Sequence, residues 1–155
     1  MEWKPPPRIK VWEALGAIAD RRIEVDGPTG KVYSSSGQKY YDVTYNAEAQ
    51  EITANDNGSY WQGYLGYPAI CYLFAAGIVP YPQDTASALK GIAWKDINTQ
   101  FKNDFSKTEK YVFDRLKEMG IPSETYEQEI KDILAKIADL HLAKLGKTKF
   151  PPKGH

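Results

Sequence analysis

The sequence predicts a single α+β domain: an N-terminal helix, an antiparallel meander of three to four short strands, a buried central helix and a helical C-terminal half. Three observations carry this. Residues 22–54 have the period of two expected of strands, broken by turn residues. Residues 57–83 contain no charged side chain, and everything after Asp84 returns to helical spacing.

Residues 1–8 include Pro5, Pro6 and Pro7 and should form an extended arm, since proline excludes the helix interior. The first helix is expected from about Ile9 to Arg21. It sets Val11, Trp12, Leu15, Ile18 and Ala19 on one face and Glu13, Asp20 and Arg21 elsewhere. Arg22–Asp26, Lys31–Ser35, Lys39–Tyr45 and Gln50–Ala54 read as strands. Gly27-Pro28-Thr29-Gly30, Gly37-Gln38 and Asn46-Ala47-Glu48 supply the turns. Tyr41, Val43 and Tyr45 alternate with Tyr40, Asp42 and Thr44, so one face of the third strand should be buried.

Asn55–Gly63 reads as a loop before an apolar helix from about Pro68 to Gly77, with Gly77 as its stop. The unbroken apolar run, Pro68 to Val79, is shorter than the roughly 20 residues a membrane span needs. Residues 81–146 form the helical part. One helix is expected from Asp84 or Thr85 to about Asn98. A second opens on a capping box, Ser106-Lys107-Thr108-Glu109, and ends near Gly120. The last runs from Ser123 or Thr125 to about Leu145. It carries the apolar stripe Tyr126, Ile130, Ile133, Ile137 and Leu140, with Glu127–Lys131 and Asp132–Lys136 pairs outside. From Lys144 onward the chain has four Lys and no acid, and 147–155 is expected to be a flexible basic tail.

At 155 residues, 42% hydrophobic and 26% charged, the chain has the size and make-up of one ordinary globular domain. Twenty basic side chains balance twenty acidic ones, so no whole-molecule field draws it to polyanions or to a membrane. A lone Cys71 excludes an internal disulfide, and the N-terminal segment has no apolar signal core; a cytoplasmic setting is the expectation.

Catalytic and metal chemistry find few residues. His141 lies between two leucines, His155 is the final residue, and Cys71 sits in the most apolar stretch. One Cys and two distant His cannot build a zinc site, so neither metal nor cofactor is expected. Glu24, Asp26, Asp42, Glu51 and Asp56 lie on or beside the strands and could serve a metal-dependent nuclease if they converged. Gly27-Pro28-Thr29-Gly30-Lys31 lacks the spacing of a phosphate loop and reads as a hairpin turn. Around the hairpins cluster Arg21, Arg22, Lys31, Ser34, Ser35, Lys39 and Tyr40. These residue types contact phosphates and stack on bases, and they are the candidate nucleic-acid-binding set.

Residues 12–79 resemble the SWIM domain, a small ββα zinc module. Lys31 through Val43 resembles its hairpin; Ile52-Thr53-Ala54-Asn55-Asp56 stands where CxCPD would be, and Tyr67-Pro68-Ala69-Ile70 where CxHI would open an apolar helix. All four ligand positions, Ile52, Ala54, Tyr67 and Ala69, lack the zinc-binding residue. The resemblance implies a zinc-free binding module whose strand end and helix start meet through apolar contact, in a DNA-processing setting. The expected function is therefore a non-enzymatic module contacting DNA or a protein of a DNA-processing complex. A metal-dependent nuclease is the first alternative. The second is a structural or assembly subunit, self-associating through the aromatic surface or the last helix.

Overall fold

The computed structural model describes residues 1–153. Its elements follow the expected order: helix α1 (Arg8–Ala19), strands β1 (Ile23–Asp26), β2 (Thr29–Tyr33), β3 (Tyr40–Asn46) and β4 (Glu51–Ala54), then helices α2 (Tyr67–Ala75), α3 (Gln83–Ala88), α4 (Trp94–Gln100), α5 (Phe105–Glu118) and α6 (Ser123–Asp139), and a short strand β5 (Ala143–Lys144). The architecture is α+β, and among the described residues no helix is long and apolar enough to cross a membrane.

Strands β1 to β4 form an antiparallel meander in spatial order, and β5 adds to β4 in parallel. The register pairs Val32 with Tyr41, Val43 with Ala54 and Tyr45 with Ile52. Alternation then places Val32, Tyr41, Val43, Ile52 and Ala54 on one buried face. Helix α2 lies across that face, against β1 through β4, with every residue from Pro68 to Phe74 buried. Gly30 permits this close seating: a Cβ there would stand 2.8 Å from the Tyr72 ring, whose hydroxyl donates to the Gly27 carbonyl at 2.8 Å. Ile52, Ala54 and Ala69 are buried and Tyr67 is half-buried, all within one core cluster.

Helix α1 packs on α2, α3, α5 and α6, and is buried on nearly all sides rather than on one stripe. Small residues at Ala14, Gly16 and Ala17 allow this approach, and Glu13 is drawn inside with them.

Several local expectations are corrected. The 1–8 arm is extended but tied down: Glu2 bridges to Ala143, Lys4 to Tyr64, and Trp3 is buried. Within Asn55–Gly63, residues Gly58–Gln62 wind into one π-helical turn closed by left-handed Gly63. The expected helix from Asp84 to Asn98 is two, α3 and α4, broken where Gly91 adopts φ 83°. Helix α5 is capped by Asp104, whose carboxylate accepts from the Ser106 and Lys107 amides. The expected capping box does not form: the Ser106 amide that Glu109 would accept from is held by Asp104, and the Glu109 carboxylate holds Arg8 and the Trp12 indole.

Helix α6 stops at Asp139. His141 turns left-handed at φ 48° and the chain enters β5 instead of continuing helical to Leu145. Tyr126, Ile130, Ile133 and Ile137 are buried, with Leu140 packed beside them, so the apolar stripe is covered within the chain. The expected outer pairs are replaced too: Glu127 reaches Arg8, and Asp132 accepts from Gln128. Strand β5 precedes the 147–155 tail, and within the tail Phe150 stacks on Tyr60; residues 154–155 lie outside the described residues.

Candidate functional site

A cavity of about 320 Å3 opens between the inner end of the sheet and α4. Helix α1 contributes Lys10 and Glu13, one turn apart on the same side. Their ammonium and carboxylate meet at 2.9 Å with side chains only 16% and 6% exposed. Burial works to lower the Lys10 pKa, but the Glu13 carboxylate, with Tyr64 and Asp56 behind it, outweighs that and leaves it raised. The Lys10 ammonium also rests over the Phe105 ring at 5.1 Å.

Asp56 forms the opposite wall. It is buried and accepts from the Ser59 hydroxyl at 2.6 Å and the Ser59 amide at 3.2 Å. Its carboxyl fits against Gly66, where a Cβ would overlap it. Burial raises its pKa in spite of both hydrogen bonds, favouring the neutral acid.

The β2–β3 connection brings Ser34, Ser35 and Lys39 to the rim, and Arg22 lies beneath them. Arg22 donates to the Tyr33 carbonyl at 2.6 Å and pairs with Asp20 at 3.3 Å, which fixes its guanidinium. The Ser35 hydroxyl accepts from the Lys95 amide at 3.0 Å and so ties this loop to α4. Lys39 sits 5.6 Å over the Tyr41 ring, and its pKa is lowered by burial and by the like charge of Lys95. Tyr41 and Tyr67 meet edge to face at 5.9 Å. Burial pushes the Tyr41 phenol up to about 12 and the Tyr67 phenol well above 10.0.

Trp94 closes the α4 side and packs into the notch at Gly16, where an added Cβ would stand 2.5 Å from the indole Nε1. That nitrogen is the unpartnered buried side-chain donor among the described residues. Asn98 is held by Thr108 at 3.0 Å, so the α4 wall is rigidly backed by α5.

The seven candidate residues therefore divide. Arg22, Ser34, Ser35 and Lys39 converge on the cavity. Arg21 is exposed at the left-handed end of α1, and Lys31 and Tyr40 lie on the outer sheet face, with the Lys31 ammonium 4.7 Å over the Tyr40 ring. Lys10, Glu13, Asp56, Tyr67 and Lys95 belong to the cavity and were not singled out for it. An opposite-charge pair at i,i+3 on an otherwise apolar helix was the available signal.

The lining carries four cationic side chains (Lys10, Arg22, Lys39, Lys95) against two carboxyls (Glu13, Asp56). Glu13 pairs with Lys10 and Asp56 accepts from Ser59, so both carboxyls of the lining are engaged within the protein. Among the described residues no three His, Cys, Asp or Glu come together to hold a metal, and the strand carboxylates do not converge. Ile52, Ala54, Tyr67 and Ala69 offer no zinc donor set, since three of the four are hydrocarbon. Cys71 is fully buried, with its thiol pushed up to about 12. His141 is exposed and faces Glu2 at 3.2 Å.

The chain belongs to the family described as "Uncharacterised conserved protein UCP014422", whose model matches residues 3–143. That span takes in the whole cavity and all elements from α1 to α6. Neither a curated protein nor a solved structure matches the chain.

Proposed function

We propose that this protein is a non-enzymatic binding module whose cavity accepts a phosphate-bearing ligand, a nucleotide or the phosphorylated end of a nucleic acid. The carrying observation is the pair of like charges, Lys39 and Lys95, brought together at a cavity that also holds Arg22, Ser34 and Ser35. Ammonium groups, hydroxyls and a fixed guanidinium are the usual partners of phosphate oxygens. The Tyr41 and Tyr67 rings give an apolar side against which a base or sugar can rest. The DNA-processing setting implied by the SWIM resemblance is consistent with this ligand class, and the junction of α2 with β4 supports that kinship.

Calorimetric titration with a nucleoside monophosphate, the matching nucleoside and inorganic phosphate tests the reading. Binding of the phosphorylated compounds, weakened by added salt and lost in the double variant Lys39→Ala, Lys95→Ala, is expected. Equal binding of the phosphate-free nucleoside, or undiminished binding by the double variant, would refute it.

A further inference from the structure

Residues 56–58 build one wall of the cavity, and the turn they open does something further along that the cavity does not use. It places Trp61 on the surface at 64% exposed, in edge contact with Tyr60 at 4.7 Å. The chain beyond β5 returns to the same spot and lays Phe150 against Tyr60 at 4.6 Å, inclined by 30°, while leaving Phe150 71% exposed. Three aromatic side chains thus form one cluster with two large open rings. Large rings are seldom left in water together without a partner.

The surroundings are basic. Gly63 lies within 3.7 Å of the Lys144 ammonium and 3.9 Å of Lys4, measured from where its Cβ would be. Lys147 and Lys149 are exposed on the strip that delivers Phe150, and Lys153 follows. No acid occurs after Asp139, and the nearby Glu2 faces His141. Open rings beside a run of ammonium groups match a strand of stacked bases and regularly spaced phosphates.

We infer that Tyr60, Trp61 and Phe150, with Lys4, Lys144, Lys147 and Lys149 beside them, form a stacking platform for single-stranded nucleic acid. This surface is separate from the residues of the phosphate cavity and stands or falls independently of it.

Trp61 makes the test direct. The other three tryptophans are buried, Trp3 at 7% exposed, Trp12 at 0% and Trp94 at 3%, and Trp94 lines the cavity, so the part of a ligand-induced fluorescence change that disappears in Trp61→Phe reports on Trp61. Full-length protein is titrated with an unphosphorylated oligothymidylate, its duplex with oligoadenylate, and vesicles of anionic phospholipid. Quenching by the single strand, stronger than by the duplex and weaker as salt rises, is expected. Trp61→Ala with Phe150→Ala should weaken binding at least tenfold, followed by fluorescence anisotropy of labelled oligonucleotide, without moving the melting temperature. Lys147→Gln with Lys149→Gln should reduce the salt slope by about 1.4, at about 0.7 per lysine. Oligonucleotide binding unchanged in the aromatic double variant overturns the platform whatever the cavity does. Absence of oligonucleotide binding, or quenching by vesicles alone, overturns it as well.

Discussion

The Trp3 indole Nε1 donates a hydrogen bond of 2.8 Å to the Ile52 carbonyl, joining the N-terminal arm to the middle of β4 across 49 residues. The same carbonyl accepts from the Leu145 amide at 3.2 Å, so one oxygen ties three distant parts of the chain. The Lys144 ammonium lies 4.9 Å over the Trp3 ring and covers the junction.

Trp3→Phe should cost about 1 kcal/mol, because the Ile52 carbonyl keeps its second donor while one hydrogen bond is lost. Trp3→Ala, which also empties a buried ring site, should cost about 3–5 kcal/mol. Urea unfolding of both variants measures the difference; equal stability of Trp3→Ala and the unaltered protein would show the arm to be unattached.

Glu13→Ala leaves the Lys10 ammonium in a nearly dry site with no ion-pair partner. A loss of about 3–5 kcal/mol is expected. Combining it with Lys10→Met should restore most of that loss, since the stranded charge is gone. A double variant as unstable as the single would place the cost in packing rather than charge.

Alkaline pH should weaken the fold before ordinary lysine chemistry does. Tyr41, moved from 10.0 to about 12, and Cys71, moved from 9.0 to about 12, both hold their protons more tightly when folded. The contribution of each is complete below the unfolded value and is lost as pH rises through the folded one. Stability should therefore fall from about pH 9 to pH 12, with Tyr41 accounting for on the order of 2 kcal/mol. Urea midpoints at pH 8, 10 and 11 follow this, and Tyr41→Phe should flatten the upper part of the curve.

Ile52→Asp introduces a carboxylate at a side chain with no exposed surface, between β3 and β5 and beneath α2. A penalty of several kcal/mol is expected, enough to leave the variant unfolded at 37 °C by circular dichroism. A folded variant of near-normal stability would mean that the α2–β4 junction admits water.

The meander was readable because its turn residues and its alternating Tyr41, Val43 and Tyr45 report local geometry. Strand β5 was not: two residues in parallel pairing have no period, and their partner lies about 90 positions earlier in the chain. The break at Gly91 was hidden by apolar residues that continue at helical spacing on both sides. The Asp104 cap of α5 was not read from the sequence, because the Ser106–Glu109 spacing matches a capping box and only the fold shows the Ser106 amide taken by Asp104 and Glu109 held by Arg8 and Trp12. Four of the seven residues picked by type near turns, Arg22, Ser34, Ser35 and Lys39, reach the cavity. Lys10 and Glu13 stayed invisible, and Asp56 was read only among the strand carboxylates, because a charged side chain in sequence gives no sign of having been buried with its partner.

Strand β4 has a bearing on how the chain reaches this state during synthesis. Its free edge is closed by Ala143 and Lys144, and it leaves the ribosome long before they do. At 5–20 residues per second, the interval is on the order of ten seconds. For that time the nascent meander presents an open row of amides and carbonyls, with Ile52 and Ala54 on the flank. The charge-free stretch from Asn57 to Gln83 emerges next, and α2 must settle on the sheet while that edge is unguarded. Aggregation on overexpression should therefore depend on elongation speed, and a chain stalled before Leu142 would be the species most prone to it.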